Sequence, residues 1–203
     1  MNPLLEKFDT PFETPPFEKI KTAHFLPAVE AAIQEAKREI EDIKNTPDPD
    51  FHQIIEALDL AGSRLNTVSA IFFNLNAADT NPEIQKLARE ISPMITRHSN
   101  DILLDALLFQ KVKSVYDQKE HLDLDEEQQT LLEKTYRSFV RNGANLDEED
   151  KARLRAIDEE LSQMGLKFGE NVLEETNKYE LLVDDKDDLK GLPEDLVESA
   201  AQE

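Results

Sequence analysis

The spacing of apolar residues constrains the fold of this chain more than any other feature. Apolar side chains recur every three or four positions in two long stretches, a period typical of an α-helix that buries one face. The stripes predict unbroken helices over 51–78 and 148–177, each about 40–45 Å long at 1.5 Å per residue. The second stripe consists of Leu154, Ile157, Leu161, Met164, Phe168 and Val172.

Shorter helices are predicted from the residues that begin and end them. Asp125 with Gln128 resembles a capping box, and Gly143 is the usual left-handed residue after a helix. Tyr179–Val183 is typical of a short strand. Proline suits a first helical turn. The other predicted helices begin near Pro27, Pro82 and Pro193, and one more covers about 106–119.

The domain organisation follows from these segments. Residues 1–26 are predicted to form an extended Pro-rich arm, 27–178 a helical domain, and 179–203 the start of a following region. The last apolar helix stops without a cap signal, so we expect the chain to be part of a longer one. Gly165 and Gly169 lie inside the 148–177 helix and predict a close helix contact or a bend. The predicted anchors of the arm are Phe8, Phe12, Phe17 and Ile20.

Composition excludes several functions. The 203 residues carry a net charge of -21, which argues against binding to nucleic acid or to an anionic membrane surface. No apolar stretch approaches the roughly 20 residues of a membrane span. There is no cysteine, so disulfides and thiolate chemistry are excluded, and a reducing compartment fits. We therefore expect a cytoplasmic protein.

The histidines are too far apart for a catalytic zinc helix. Such a helix needs H-E-x-x-H, with two imidazoles one turn apart, and this motif does not occur. His52 and Glu56 are one turn apart, but such a pair is usually a solvated helix contact. We therefore predict no catalytic residue, no metal ligand and no cofactor in this chain. The four histidines are His24, His52, His98 and His121.

Two segments could contact a peptide channel or a second lobe of a larger protein. Phe73, Asn74 and Asn76 bring aromatic and amide groups to the end of one helix, where they could line a channel. Arg141 and Asn142 end another helix, and Arg141 could meet a peptide carboxylate or an acidic lobe. The alternative is structural: the aromatic residues belong to the core, and the polar ones cap helices.

An ordered set of segments resembles the thimet oligopeptidase family of zinc peptidases, most closely its peptidyl-dipeptidase branch. The resemblance covers essentially the whole chain and begins with residues 2–30, NPLLEKFDTPFETPPFEKIKTAHFLPAVE. The later segments are Ala61–Leu65, Phe72–Phe73, Ile102–Phe109, Tyr136–Ala144 and Leu166–Val172. None of these segments is diagnostic alone, but the set is specific.

The resemblance implies an all-α bundle of long helices with at most one short strand pair. In a neurolysin-like peptidase this N-terminal region forms one wall of the substrate channel. It implies zinc in the parent enzyme, and as partners the C-terminal catalytic lobe of the same chain and short peptides. No catalytic residue of the family maps onto a position here.

A self-standing acidic helical module that binds a protein partner is the alternative function. A longer reading frame with H-E-x-x-H would favour the peptidase, whereas a stop codon near residue 203 would favour the module. For the peptidase fragment we expect an exposed apolar surface and self-association. Because salt screens the repulsion due to the charge of -21, this association should strengthen as salt rises to physiological levels.

Overall fold

A computed structural model describes residues 2–201, apart from the side chain of Lys186, and within that range it contains helices and turns but no strand. Tyr179–Val183, predicted as a strand, has no regular structure. A π-helical turn, Phe51–Glu56, leads into α2. The α-helices are α1 (Phe25–Lys44), α2 (Ala57–Leu60), α3 (Ser63–Ala78), α4 (Pro82–Leu103), α5 (Ala106–Tyr116), α6 (Glu126–Arg141), α7 (Glu148–Asn177) and α8 (Glu194–Ala200).

The chain divides into two units, the first ending at Leu166 and the second beginning at Lys167. The first unit has two clusters of buried apolar residues. Cluster one lies between the first half of α1, α3 and α4, and includes Phe25, Phe72 and Ile91. Cluster two lies between the end of α1, the π-helical turn, α5 and α6, and includes Ile54 and Phe139. The all-α architecture predicted from the apolar period is confirmed.

The single helix predicted over 51–78 is wrong because the chain breaks at Ala61 and Gly62. Ala61 is extended, and Gly62 has φ 72°, a left-handed conformation that favours glycine. The Gly62 N–H donates to Glu39 Oε2 on α1 at 2.8 Å. Apolar residues continue across this break, so their period alone gave no sign of it.

The other helix boundaries follow the predicted signals closely. Asp125 and Gln128 form the capping box at the start of α6, and Gly143 has φ 93° after its end. α7 is one helix of 30 residues, as predicted. The close helix contact predicted at Gly165 and Gly169 is wrong, since a Cβ at either would meet nothing within 4 Å among the described residues. A bend there stays a prediction.

Within the first unit, the N-terminal arm packs against cluster one through some of its predicted anchors but not all. Leu4 is 2% exposed, and Phe8 and Ile20 pack on cluster one. Arg64 Nη1 donates to the Leu5 carbonyl at 2.7 Å, which fixes the arm to α3. Phe12 and Phe17 were also predicted as anchors, and this is wrong, because both side chains are exposed.

Candidate functional site

The part of α7 in the first unit is attached to α4 through polar side chains. Three contacts are spaced by four residues on α7, so they follow one face of the helix. Their partners run backwards along α4, so the two segments are antiparallel. The contacts join Arg155 Nη1 to Asp101 Oδ1 at 2.9 Å, Glu159 to Arg97, and Gln163 Nε2 to the Arg89 carbonyl at 2.9 Å.

The apolar stripe of α7 lies on the opposite side of the helix. At 3.6 residues per turn, Met164 is rotated by about 180° from Arg155. Ile157, Leu161 and Met164 are 43%, 58% and 58% exposed, respectively. The sequence predicted this face to be buried, and that prediction is wrong within the first unit. We call these three residues the α7 stripe.

The second unit also carries exposed apolar side chains. The end of α7 belongs to this unit, and Phe168 and Val172 on it are exposed. They continue the spacing that the sequence shows from Leu154 onward. The segment after α7 exposes Tyr179, Leu181 and Leu182. Exposed aliphatic and aromatic side chains in such number are typical of surfaces that another element covers.

A charged pocket of about 400 Å³ lies where α1, α4 and α7 approach each other in the first unit. Asp101 pairs with two cations: its Oδ1 contacts Arg155, and its Oδ2 lies 3.8 Å from Lys37 Nζ. Lys44 Nζ lies between Glu41 and Asp105 at 2.8 and 2.9 Å, and the hydrogen bonds that it donates to these carboxylates raise its pKa. These charges are paired with one another, so the pocket has a structural role in joining three helices.

His98 lines the same pocket and is almost fully buried. Its Nδ1 has no hydrogen-bond partner among the described residues. Burial lowers the pKa of His98, and the nearby Lys37 lowers it further. Both effects favour the neutral form of the imidazole.

The residues predicted to contact a channel are divided between the two clusters. Phe73 is half-buried on cluster one, with its ring centroid 5.1 Å from that of Phe72. Asn74 is exposed, and Asn76 Oδ1 accepts a 3.5 Å hydrogen bond from Thr80. These positions are compatible with both interpretations, so contact with a channel stays a prediction.

Arg141 and Asn142 lie at the end of α6, beside cluster two. Arg141 is exposed. Asn142 follows the last helical residue, and its Nδ2 donates to the Ser138 carbonyl at 2.8 Å. Asn142 therefore acts as a helix cap, and contact between the exposed Arg141 and a ligand stays a prediction. Sequence analysis did not identify the α7 stripe as a candidate site, because an apolar period of three to four residues equally describes a face that is buried within the same domain.

Residues 2–201 contain no group of three His, Cys, Asp or Glu side chains arranged to hold a metal ion. His52 Nδ1 lies 2.7 Å from Glu56 Oε2, and this hydrogen bond raises the pKa of the exposed imidazole. The pair is the solvated helix contact that the sequence suggested. No helix in the described part of the chain has the length and apolar character that crossing a bilayer requires.

Comparisons with known proteins point to one family. Residues 29–151 match the model for the N-terminal domain of neurolysin and thimet oligopeptidase. Over 98% of its length the chain is 38% identical to a dipeptidyl carboxypeptidase of Salmonella typhimurium. It is 27% identical to oligopeptidase A of Escherichia coli and 28% identical to a probable cytosolic oligopeptidase A of Arabidopsis thaliana, over 98% and 95% of its length. The chain spans only 30%, 29% and 27% of these three relatives.

Proposed function

Because this chain belongs to the neurolysin/thimet oligopeptidase family, whose N-terminal domain it matches, we propose that it is the non-catalytic N-terminal region of a peptidase. The whole enzyme cleaves short peptides and releases C-terminal dipeptides, and this region shapes the substrate channel. Dipeptide release is supported by the higher identity to a dipeptidyl carboxypeptidase than to the oligopeptidases A. The name of the Arabidopsis relative supports a cytoplasmic location.

The observation that carries this proposal is the exposed α7 stripe. A helix at the surface of a complete domain turns its polar face to water and its apolar face to the core. In the first unit Arg155, Glu159 and Gln163 of α7 face α4. Leu166 also packs on cluster one, but the α7 stripe is left exposed. Burying apolar area releases about 25 cal/mol per Å², so an uncovered stripe favours a further contact. The chain spans 30% of the Salmonella typhimurium relative, and in a protein of that length the remaining part supplies this cover.

Zinc belongs to the remainder of such an enzyme. A catalytic zinc site needs three protein ligands and an open position. The four histidines of this chain are dispersed, and residues 2–201 offer no cluster of metal-ligating groups. The residues present here therefore do not fit the zinc site.

We also propose that the arm at 1–26 and the domain at 27–178 are followed by a new region from 179.

The proposal is tested by expressing the longer reading frame that contains this chain. We expect an H-E-x-x-H motif in it, zinc in the purified protein, and release of a dipeptide from an N-blocked tripeptide. The 203-residue chain alone should do none of this. Hydrolysis by the chain alone, or a longer frame without a zinc motif, would overturn the proposal.

The alternative, a self-standing acidic module, is favoured by the same stripe together with the charge of -21. Whether the isolated chain self-associates distinguishes the N-terminal region of a peptidase from the self-standing module. For an uncovered lobe, sedimentation should show dimers that strengthen from low to physiological salt, and Met164→Glu should abolish them. A monomer at both salts and at high concentration would favour the module.

A further inference from the structure

A loop in the N-terminal arm presents a phenylalanine almost entirely to solvent. We define the Phe12 loop as residues 10–17. Phe12 is 98% exposed, and Phe17 is about half exposed. Phe12 and Glu13 have φ 59° and 53°, two consecutive non-glycine residues in the left-handed region. Such residues are uncommon, and a strained backbone persists where its surroundings or its function require it.

The loop is held in place at both ends. Before it, Phe8 packs on cluster one, and Lys7 Nζ lies 3.0 Å from Glu13 Oε1. Inside it, the Thr10 hydroxyl donates to the Thr14 carbonyl at 2.5 Å. After the tip, Pro16 is buried. Phe12 therefore projects from a defined position, which is the property of an anchor residue in an interface.

The charges around the loop restrict what can cover it. Four acidic and two basic side chains flank Phe12, and all six are exposed. They are Glu6, Lys7, Asp9, Glu13, Glu18 and Lys19. An occupant with an apolar pocket and a basic rim complements this pattern. A second copy of this chain does not, because each copy carries a net charge of -21.

We propose that the Phe12 loop is a second docking point for the remaining part of the longer chain, which receives Phe12 in an apolar pocket with a basic rim. This inference rests on the proposed function, in which the chain is about 30% of a longer protein. The loop and the α7 stripe then contact the remainder at two separate places. Fixing one chain at two points restricts its motion more than either contact alone.

Cysteine labelling tests the two contacts separately. The chain has no cysteine, so Phe12→Cys and Met164→Cys each introduce a single thiol into it. Asp48→Cys, at an exposed polar residue, is the matched control. Each variant is made in the 203-residue chain and in the longer chain, and labelling by a thiol reagent is followed by peptide mass spectrometry. In the longer chain we expect labelling at position 12 to slow on the order of tenfold or more, with no change at position 48.

The outcomes distinguish the two proposals. Fast labelling at position 12 with slow labelling at 164 overturns the docking of Phe12 and leaves the proposed function in place. Slow labelling at position 12 with fast labelling at position 164 supports the Phe12 contact. It also means that the α7 stripe is not covered in the longer chain and does not support the proposed function. Slowing at 12 that depends on protein concentration in the isolated chain would identify a second copy as the occupant and overturn the proposal.

A second variant, Phe12→Gly, separates the relief of backbone strain from the loss of the anchor side chain. Glycine adopts φ 59° without steric strain. Because this relief exceeds the entropic cost of a more flexible unfolded chain, Phe12→Gly should raise the Tm of the isolated chain. In the longer chain the same change should lower the Tm, because the anchor is lost. A rise in both proteins would overturn the proposal.

Discussion

α4 and α7 carry apolar stripes of the same period, but only α4 buries its stripe. On α4, Ile84, Ala88 and Ile91 are part of cluster one. On α7, Ile157, Leu161 and Met164 face away from the unit, and the polar side holds the helix to α4. The difference shows that an apolar period alone does not determine whether a helix buries that face within the unit to which it belongs.

The largest expected effect contrasts the two stripes directly. Ile91 is fully buried, so Ile91→Ala should lower the free energy of unfolding by about 2–5 kcal/mol. Leu161→Ala, its counterpart on α7, should change it by less than about 0.5 kcal/mol in this chain. Urea unfolding followed by circular dichroism measures both. Equal losses would mean that the α7 stripe is buried in solution and would remove the contrast.

The next largest effect is expected at Gly143, in the turn between α6 and α7. Gly143 has φ 93°, and a Cβ there would lie 2.8 Å from Leu154 Cδ2 on α7. We expect Gly143→Ala to cost about 1–3 kcal/mol, mainly from the strained backbone. A Cβ at Gly165 would meet no atom of the described residues within 4 Å, so Gly165→Ala should stabilise the helix by up to about 1 kcal/mol. Thermal unfolding of both variants checks the pair, and a loss at Gly165 would indicate a contact on α7 that the structure lacks.

A third prediction uses pH to probe the pocket between the helices. Burial lowers the pKa of His98 in the folded state, so the unfolded chain binds a proton more readily. The unfolding free energy should therefore fall as pH drops from about 6.5 towards the folded pKa. His98→Leu should reduce this fall. Lys37 and Arg155 face His98 from the neighbouring helices, and Asp101 from its own, all within the same pocket.

The matched control for that measurement is His52→Gln. Glu56 raises the pKa of the exposed His52, so its contribution is present at low pH and is lost as pH rises through the folded pKa. In His52→Gln the free energy of unfolding should therefore fall slightly more towards acid pH than in the unmodified chain. His98→Leu should have the opposite effect. The same direction for both variants would contradict the assignment of His98.

The smallest effect tests the polar attachment of α7. Arg155→Met removes the ion pair with Asp101, whose partners are about half exposed, so we expect a loss of about 0–1 kcal/mol. The loss should shrink at high salt because exposed charges are screened. Arg153→Met, at an exposed arginine of the same helix, is the control. Amide hydrogen exchange of α7 at two salt concentrations measures the difference, and a salt-independent loss would argue against a polar attachment.

Local signals predicted much of the fold. The capping box of Asp125 and Gln128 and the left-handed Gly143 were identified because each depends on residues close in sequence. The break at Gly62 was missed because apolar residues continue on both sides of it. Tyr179–Val183 has strand-like composition, but a strand also needs a pairing partner, and composition cannot supply one.

The candidate sites were harder to predict, for a related reason. Phe8 and Phe12 occupy similar Pro-rich surroundings, and no periodicity separates the half-buried ring of Phe8 from the exposed ring of Phe12. Their difference arises from packing on α1 and α3, which are distant in sequence. Arg155, Glu159 and Gln163 did carry a signal, since polar residues spaced by four mark a second face of the helix. The sequence analysis did not use this signal, because it followed only the apolar face of the helix.

The burial of Leu4 affects how a minimal version of this domain should be cut. The family match begins at residue 29, yet the core already includes Leu4, and Arg64 holds the Leu5 carbonyl. A protein started at the family boundary would lose part of cluster one and leave the guanidinium of Arg64 with Glu35 as its remaining partner. The packed unit therefore extends beyond the segment that the family model matches, and a deletion series should keep Leu4 and Leu5 rather than begin at the first helix.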